Sequence, residues 1–357
     1  MPKHKGVQKK RNKWYWYIDY RGRRYWSKGF NTAEQAARDR AKVKKQLFDG
    51  TYIEKNKLTL EEFIIQYLKD YALPSLRRSC CIQIETMARK NIIPYIGDIE
   101  LQNLKPYHIE RLKNKLLLNQ SSIVTYNALA TLRKILNKAM KWDLLQQNPG
   151  LKVDFPKKIE KEHPILTPKQ LFDLVHALQG MEKYIVAVAG YTAMRRSEIF
   201  GLQWQDVDFK KNVIKISRQF YLREIHPVKT KSSKAIIPIW HRLTTMLKEW
   251  KLQSRSELWI FVNKKNNPVA PEIWSTYYWP KIRKEQDLPR DLRFHDLRHT
   301  FASILLSEGI AASDVQKLMR HSSYQTTVDI YRHLLPNQLE KALQSLESLY
   351  VEQNVER

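Results

Sequence analysis

The sequence predicts a multidomain, mainly α-helical chain. It has a small β-sheet-plus-helix domain at the N-terminus, an all-helical domain in the middle and a mixed α+β domain in the second half. Three observations carry this. Residues 1–57 hold 17 Lys and Arg against 5 Asp and Glu, a net +12 in about one sixth of the chain. From 58 to 152, apolar residues recur at helical spacing behind capping signals. Beyond that, β-rich stretches fall between 213 and 239, with helical sequence on either side.

In the first segment, Trp14-Tyr15-Trp16-Tyr17-Ile18-Asp19-Tyr20 reads as an aromatic strand, Arg21-Gly22 as a turn and Arg23-Arg24-Tyr25-Trp26-Ser27 as the returning strand. Alternation puts Trp14, Trp16, Ile18 and Tyr20 on one face and Tyr15, Tyr17 and Asp19 on the other. Asn31 and Thr32 open a helix that ends near Gly50. One aromatic face serves as core. The other, with Tyr15 and Tyr17 rimmed by Arg21, Arg23, Arg24 and Lys28, is a candidate surface for a polyanion.

In the second segment, Thr59 with Glu62 forms a capping box ahead of Phe63, Ile64 and Tyr67. A second helix spans about 79–91, and Pro106 opens a third. Ser122 caps a fourth, with Tyr126, Leu129, Leu132, Leu136 and Met140 as its core stripe and Asn148-Pro149-Gly150 as its stop. Arg133, Lys134, Lys138 and Lys141 are expected on outer faces. Residues 152–163 are charged and interrupted by proline, as a linker would be. Thr167-Pro168-Lys169-Gln170 then starts the last domain with an N-cap, Pro at the first helical position and Gln at N3. Helices run to about Leu202, strands follow around the polar turn 229–234, and helices return from about Pro271. The expected domains are therefore 1–57, 58–152 and 163–357, the last with a tail helix carrying Leu339, Leu343, Leu346 and Tyr350.

The chain has 357 residues, 43% of them hydrophobic, enough for a sizeable core. Formal net charge is +27 and the pI near 9.9. Such an excess of cations points to a polyanion, with nucleic acid ahead of an anionic membrane surface. No apolar run approaches the roughly 20 residues needed to span a bilayer. The basic N-terminus is not followed by the apolar stretch of a secretory signal. Cys80 and Cys81 make neither a disulfide framework nor a zinc pattern and read as small core residues. This usage fits a reducing cytoplasm.

Chemistry concentrates in the second half. His295-Asp296-Leu297-Arg298 begins a helix that runs to Gly309 at C′. His295 and Arg298, three apart near a helix N-terminus, suit an anion, because free N–H groups and the macrodipole favour one there. Arg298 can fork onto two phosphate oxygens. Met194-Arg195-Arg196-Ser197-Glu198 supplies another arginine pair among apolar neighbours, for which an ion pair with Glu198 is the competing structural role. His321 lies ten positions before Tyr331. Cations, imidazoles and a phenol together can break a phosphodiester without a metal. No carboxylate cluster for Mg²⁺ and no phosphate-binding glycine loop is visible, so no metal and no cofactor is expected.

These residues resemble the tyrosine recombinases of the phage integrase family. The resemblance rests on the box Thr192 to Glu198, the box His295 to Ser303 and the segment Gln316 to Tyr331, which occur in the family's order. The segment Ser27 to Ala36 resembles the sheet-to-helix junction of arm-binding domains in integrases of temperate phages and conjugative transposons. The resemblance implies an arm-type DNA-binding domain, a helical core-binding domain and a tyrosine-recombinase catalytic domain. It implies roles too: Arg195 and Arg298 clamp the scissile phosphate, Lys229 protonates the leaving 5′ oxygen, His295 is acid/base and phosphate ligand, His321 donates to the phosphate, and Tyr331 is the nucleophile. Lys231 competes with Lys229, which is favoured. Ala193 and Arg320 stand where the family usually has glycine.

The activity implied is site-specific recombination through a 3′-phosphotyrosine, for integration and excision of a mobile element. Its implied partners are double-stranded DNA with core-type and arm-type sites, a homotetramer on that DNA, and an accessory excision or DNA-bending protein. A chromosome-resolving recombinase, a type IB topoisomerase and a non-catalytic DNA-binding regulator are the alternatives.

Overall fold

The structure, a computed structural model, describes residues 6–159, 164–227 and 235–320. The chain divides into two compact units, Met1–Glu160 and Lys161–Arg357.

The first unit begins with an antiparallel sheet of β1 (Val7–Lys10), β2 (Lys13–Tyr20) and β3 (Arg23–Trp26), ordered β1-β2-β3. Arg21 and Gly22 join β2 to β3 with φ of +48° and +79°, the doubly positive pair that a type I′ hairpin turn requires. That two-residue turn pairs Tyr20 with Arg23 and Tyr17 with Trp26. Helix α1 (Ala33–Phe48), capped by Thr32, covers one face of the sheet. Trp16 and Ile18 are buried against Ala36 and Leu47, and the Trp16 indole donates to Asp39 Oδ2 at 2.8 Å.

The rest of the unit is helical: α2 (Leu60–Tyr67), α3 (Leu73–Ser75), α4 (Arg78–Asn91), α5 (Ile93–Ile96), α6 (Pro106–Asn119) and α7 (Ser122–Lys141). A π-type turn over Leu68–Ala72 carries α2 into α3. The capping box of α2 is formed, with Thr59 N donating to Glu62 Oε2 at 2.8 Å and Glu62 N to Thr59 Oγ1 at 3.2 Å. Leu129, Leu132 and Leu136 of α7 are buried in one core with Phe63, Ile64 and Tyr67. The cap of α7 is Ser121 rather than Ser122, and α7 ends at Lys141, well before Asn148, whose side chain instead caps the turn Pro149–Lys152. Cys81 is buried and Cys80 half-buried.

The second unit opens with α8 (Pro168–Ala177), α9 (Gly180–Tyr191) and α10 (Arg196–Ile199). Residues Tyr184 to Gly190 of α9 are all buried, so this apolar run is the central core helix. Strands β4 (Val207–Asp208), β5 (Val213–Ile216) and β8 (Ala235–Pro238) form one sheet in the order β4-β5-β8, and β6 (Arg218–Tyr221) with β7 (Glu224–Pro227) forms a separate hairpin. Then come α11 (His241–Gln253), α12 (Pro271–Ile273), α13 (Trp279–Glu285), α14 (Asp296–Ser307) and α15 (Ala312–Met319). Helix α14 stops at Glu308, and Gly309 follows with φ of +85°, the left-handed C′ geometry expected from its sequence. The fold is thus mainly α, with a sheet-plus-helix N-terminal part, a helical middle and a mixed α+β second half. Among the described residues no helix is long and apolar enough to cross a membrane.

Candidate active site

The site is built where α9 and α14 pack and where α15 ends. After α9, Thr192 turns the chain: its hydroxyl donates to Val188 O at 2.6 Å and accepts from Met194 N at 3.3 Å. This delivers Arg195 to the N-cap of α10. There Glu198, fully buried, accepts Arg195 N at 2.8 Å and Arg195 Nη1 at 3.0 Å. The ion pair with Glu198 is therefore real, but it orients Arg195 without burying it, since the arginine side chain stays 31% exposed.

Arg298 is 3% exposed. Its Nη1 donates to Ala193 O and its Nη2 to Met319 O. Arg195 Nη2 donates to the next carbonyl, Arg320 O, at 3.0 Å. Two arginines from boxes about a hundred residues apart are thus held by consecutive carbonyls at the end of α15. Those carbonyls have no partner within their own helix and sit at the negative end of its dipole, so guanidinium groups suit them. The chain residue that follows them is His321. Lys229, Lys231, His321 and Tyr331, with the tail helix, lie outside the described residues.

His295 precedes α14 as its N-cap. The free N–H groups expected at this terminus are already used: Asp296 N, Leu297 N and Arg298 N donate to Arg293 O, Phe294 O and His295 O at 2.9, 3.4 and 3.1 Å. Tight turns through 293–298 consume them, so side chains rather than the helix terminus must receive an anion here. Asp296, fully buried, locks the turn by accepting Arg293 N at 2.7 Å and Arg293 Nη2 at 2.8 Å.

His295 is exposed as a residue, yet it shares a narrow crevice with Ala189, Met194, Ile199 and Arg298. Desolvation there, then repulsion from His299 and Arg298, pushes the imidazole pKa down to about 3. In the unfolded chain the ring titrates near 6.5. Between those pH values the folded protein binds fewer protons than the unfolded one, so this contribution to stability is whole above about pH 6.5 and is lost progressively as pH falls toward 3. The urea midpoint of the wild type should therefore drop more steeply from pH 7 to pH 5 than that of His295→Asn. Parallel profiles would contradict the desolvation of the ring in this crevice.

In the N-terminal sheet, the outer face holds Tyr15, Tyr17 and Asp19 of β2, as the alternation predicts, flanked by Gln8 and Lys10 of β1 and Arg24 and Trp26 of β3. Tyr17 meets Trp26 at 5.5 Å, Lys10 lies over Trp26 at 4.8 Å and Arg24 over Tyr17 at 5.0 Å. Arg24 also pairs with Asp19 at 2.6 Å. Arg21 sits in the turn over Tyr20 at 5.4 Å, and Lys28 is exposed just past β3. Arg23 belongs to the opposite face, stacked on Tyr25 and bound to Glu54 at 2.9 and 3.1 Å. Lys10 and Trp26 are the residues the sequence reading passed over. In the helical part, Arg133 is turned inward onto Gly150 O and Val153 O and over Phe155 at 4.0 Å, and Lys138 covers Tyr71 at 3.8 Å, so these two cations are structural rather than outward-facing. Among the described residues no group of three His, Cys, Asp or Glu side chains could hold a metal ion.

Comparison with known proteins agrees with this architecture. Residues 164–338 match the phage integrase family, and residues 59–117 match its N-terminal SAM-like domain. A tyrosine recombinase XerC-like protein of Caldanaerobacter subterraneus subsp. tengcongensis is 27% identical over 85% of this chain and 86% of its own length. The ICEBs1 integrase of Bacillus subtilis is 26% identical over 73% of this chain and 75% of its own length. Among solved structures, the Tn1549 transposon integrase in complex with transposon right end DNA superposes with a TM-score of 0.69 at 19% identity, covering 81% of this chain and 99% of that one. A lambda integrase tetramer bound to a Holliday junction gives 0.61 at 17% identity, covering 89% and 96%. The chain belongs to the phage integrase family and is a tyrosine-type site-specific DNA recombinase.

Proposed function

We propose that this recombinase integrates and excises a mobile element, cutting and rejoining double-stranded DNA through a 3′-phosphotyrosine. One observation carries the assignment of the site: Arg195 and Arg298 are held by adjacent carbonyls of Arg320 and Met319, immediately before His321. The two guanidiniums then grip non-bridging oxygens of one phosphate, where fixed positive charge offsets the charge that grows in the pentacoordinate transition state. Tyr331 Oη attacks phosphorus. Its proton passes to a base, the role the family resemblance gives to His295. The bond to the 5′ oxygen breaks, and Lys229 protonates that oxygen. His321 donates to the phosphate. The ester is conserved, so a second strand's 5′ hydroxyl reverses the step without ATP or metal. The test is a nicked duplex carrying a site selected from a random-sequence pool. A protein–DNA adduct that survives denaturing electrophoresis supports the reading; on a separate supercoiled plasmid carrying two such sites, relaxation without strand exchange between them would favour a topoisomerase instead.

The domain roles follow the same reading: residues 1–57 bind arm-type sites, 58–152 grip core-type sites and 163–357 catalyse. Four copies act together on DNA, as in the lambda integrase tetramer, and an accessory excision or DNA-bending protein sets direction in the bacterial cytoplasm. The cation–aromatic face of the N-terminal sheet supports arm binding, since aromatic rings and cations able to meet phosphates are interleaved there. Replacing Lys10 and Arg24 together by Ala should weaken arm-site binding and flatten its dependence on log salt concentration by about 2, roughly 0.9 for each phosphate no longer neutralised. Cleavage at core sites should not change. If core cleavage falls in parallel, the sheet has no separate arm-binding role.

A further inference from the structure

Arg320 follows the last residue of α15 with φ of +53°, in the left-handed region that strains an L side chain and favours glycine. Its side chain is 2% exposed. Nη2 donates to Glu198 Oε2 at 2.6 Å and to Ala193 O at 3.1 Å. Nε and Nη1 are buried with no hydrogen-bond partner among the described residues. Backbone strain, a buried charge and unpartnered donors each oppose this residue, and glycine would remove all three. Ala193, the other position where the family resemblance leads one to expect glycine, has no positive φ and needs none.

The connections of Arg320 show what opposes that cost. Its carbonyl holds Arg195. Its guanidinium shares Glu198 with Arg195 and shares Ala193 O with Arg298. It therefore touches both arginines of the phosphate clamp through one common acceptor each. Glu198 is the carboxylate that Arg195 and Arg320 share, so these two guanidiniums exceed it by one positive charge. Without Arg320, the buried Glu198 would be compensated by Arg195 alone. That pair would be close to neutral and would offer less potential to a phosphate.

We propose that the Arg320 guanidinium is a positioning group of the clamp: it takes up part of Glu198 so that Arg195 keeps its charge for DNA, and it fixes the Ala193 carbonyl against which Arg298 is aimed. Burial pushes its pKa down, Glu198 counters that, and Arg195 opposes it further, as befits a cation held inside by one shared carboxylate. The inference rests on the cleavage reading above.

Full-length wild type, Arg320→Gly, Arg320→Lys and Tyr331→Phe are compared on the nicked duplex for single-turnover adduct formation, DNA affinity and cooperative thermal unfolding. Arg320→Gly keeps the carbonyl that holds Arg195 and suits the backbone better. It should fold and bind DNA as wild type, yet form adduct roughly 10- to 100-fold more slowly, the order expected when a reacting group is misplaced. Arg320→Lys should recover part of the rate. Wild-type cleavage by Arg320→Gly overturns the proposal, as does a lysine variant no faster than the glycine one, or a glycine variant that fails to unfold cooperatively. The Tyr331→Phe control separates failures, because an adduct there overturns the cleavage reading itself.

Discussion

Replacing Tyr331 by Phe should abolish covalent capture of DNA while leaving DNA binding at its wild-type strength. The change removes one oxygen and keeps the ring, so it deletes the atom that displaces the sugar oxygen from phosphorus and little else. Removing a covalent nucleophile costs on the order of 10⁴-fold or more in other enzymes that work through such intermediates. Adduct on the nicked duplex should therefore fall below detection. Binding is dominated by contacts between cations and phosphates, none of which needs the phenol. An adduct of wild-type yield in the variant would show that another residue is the nucleophile, and the family resemblance at Gln316 to Tyr331 would then mislead about this chain.

Arg298→Ala should slow adduct formation by about 10²- to 10³-fold, the loss seen when one well-placed donor to a developing oxyanion is deleted, or about 2.7–4 kcal/mol of barrier. Its structural cost is separate. Arg298 is 3% exposed and bonded to Ala193 O and Met319 O; its removal takes this donor from Met319 O, at about 1–3 kcal/mol for a buried group left unpaired, while Ala193 O keeps Arg320 at 3.1 Å. Arg195→Ala should lose cleavage to a similar degree with a smaller loss of stability. Its side chain is 31% exposed, and Glu198 keeps Arg320 at 2.6 Å as a partner. Thermal unfolding beside single-turnover cleavage separates the two effects. Near-wild-type cleavage by either variant would make that arginine a purely structural residue.

Much of the fold was legible because its signals are local. The capping boxes of Thr59 and Thr167 and the C′ glycine at Gly309 depend on a few consecutive residues, and all three formed. So did the burial of Trp16 and Ile18, which follows from strand alternation and one covering helix. The misplacement of Arg23 was avoidable: a two-residue turn at Arg21-Gly22 pairs Arg23 with Tyr20 and so commits it to the core-side face, leaving Trp26 and Lys10 outside. The split between the β6–β7 hairpin and the β4-β5-β8 sheet was harder to read. Its turn runs through Leu222 and Arg223 with φ of +53° and +60° and carries no glycine or asparagine, so tertiary packing imposes it against local preference.

The site was legible as an inventory and not as a mechanism of positioning. Arg195, His295 and Arg298 stand out by type and spacing, but what aims the two arginines is a pair of main-chain carbonyls at Met319 and Arg320. Main-chain acceptors leave no mark in a sequence. Arg133 illustrates the converse: its helical position suggests an outward cation, yet the loop carrying Gly150 and Val153 returns over it and captures the guanidinium.

The most direct test of the central claim is the chemical identity of the trapped linkage. Wild-type protein is reacted with a nicked duplex, the adduct is digested with nuclease and protease, and the nucleotide-bearing peptide is sequenced by mass spectrometry. The account predicts a 3′-nucleotide esterified to Tyr331 and a released strand ending in a free 5′ hydroxyl. A nucleotide on any other residue, or a linkage through the 5′ phosphate, would contradict it.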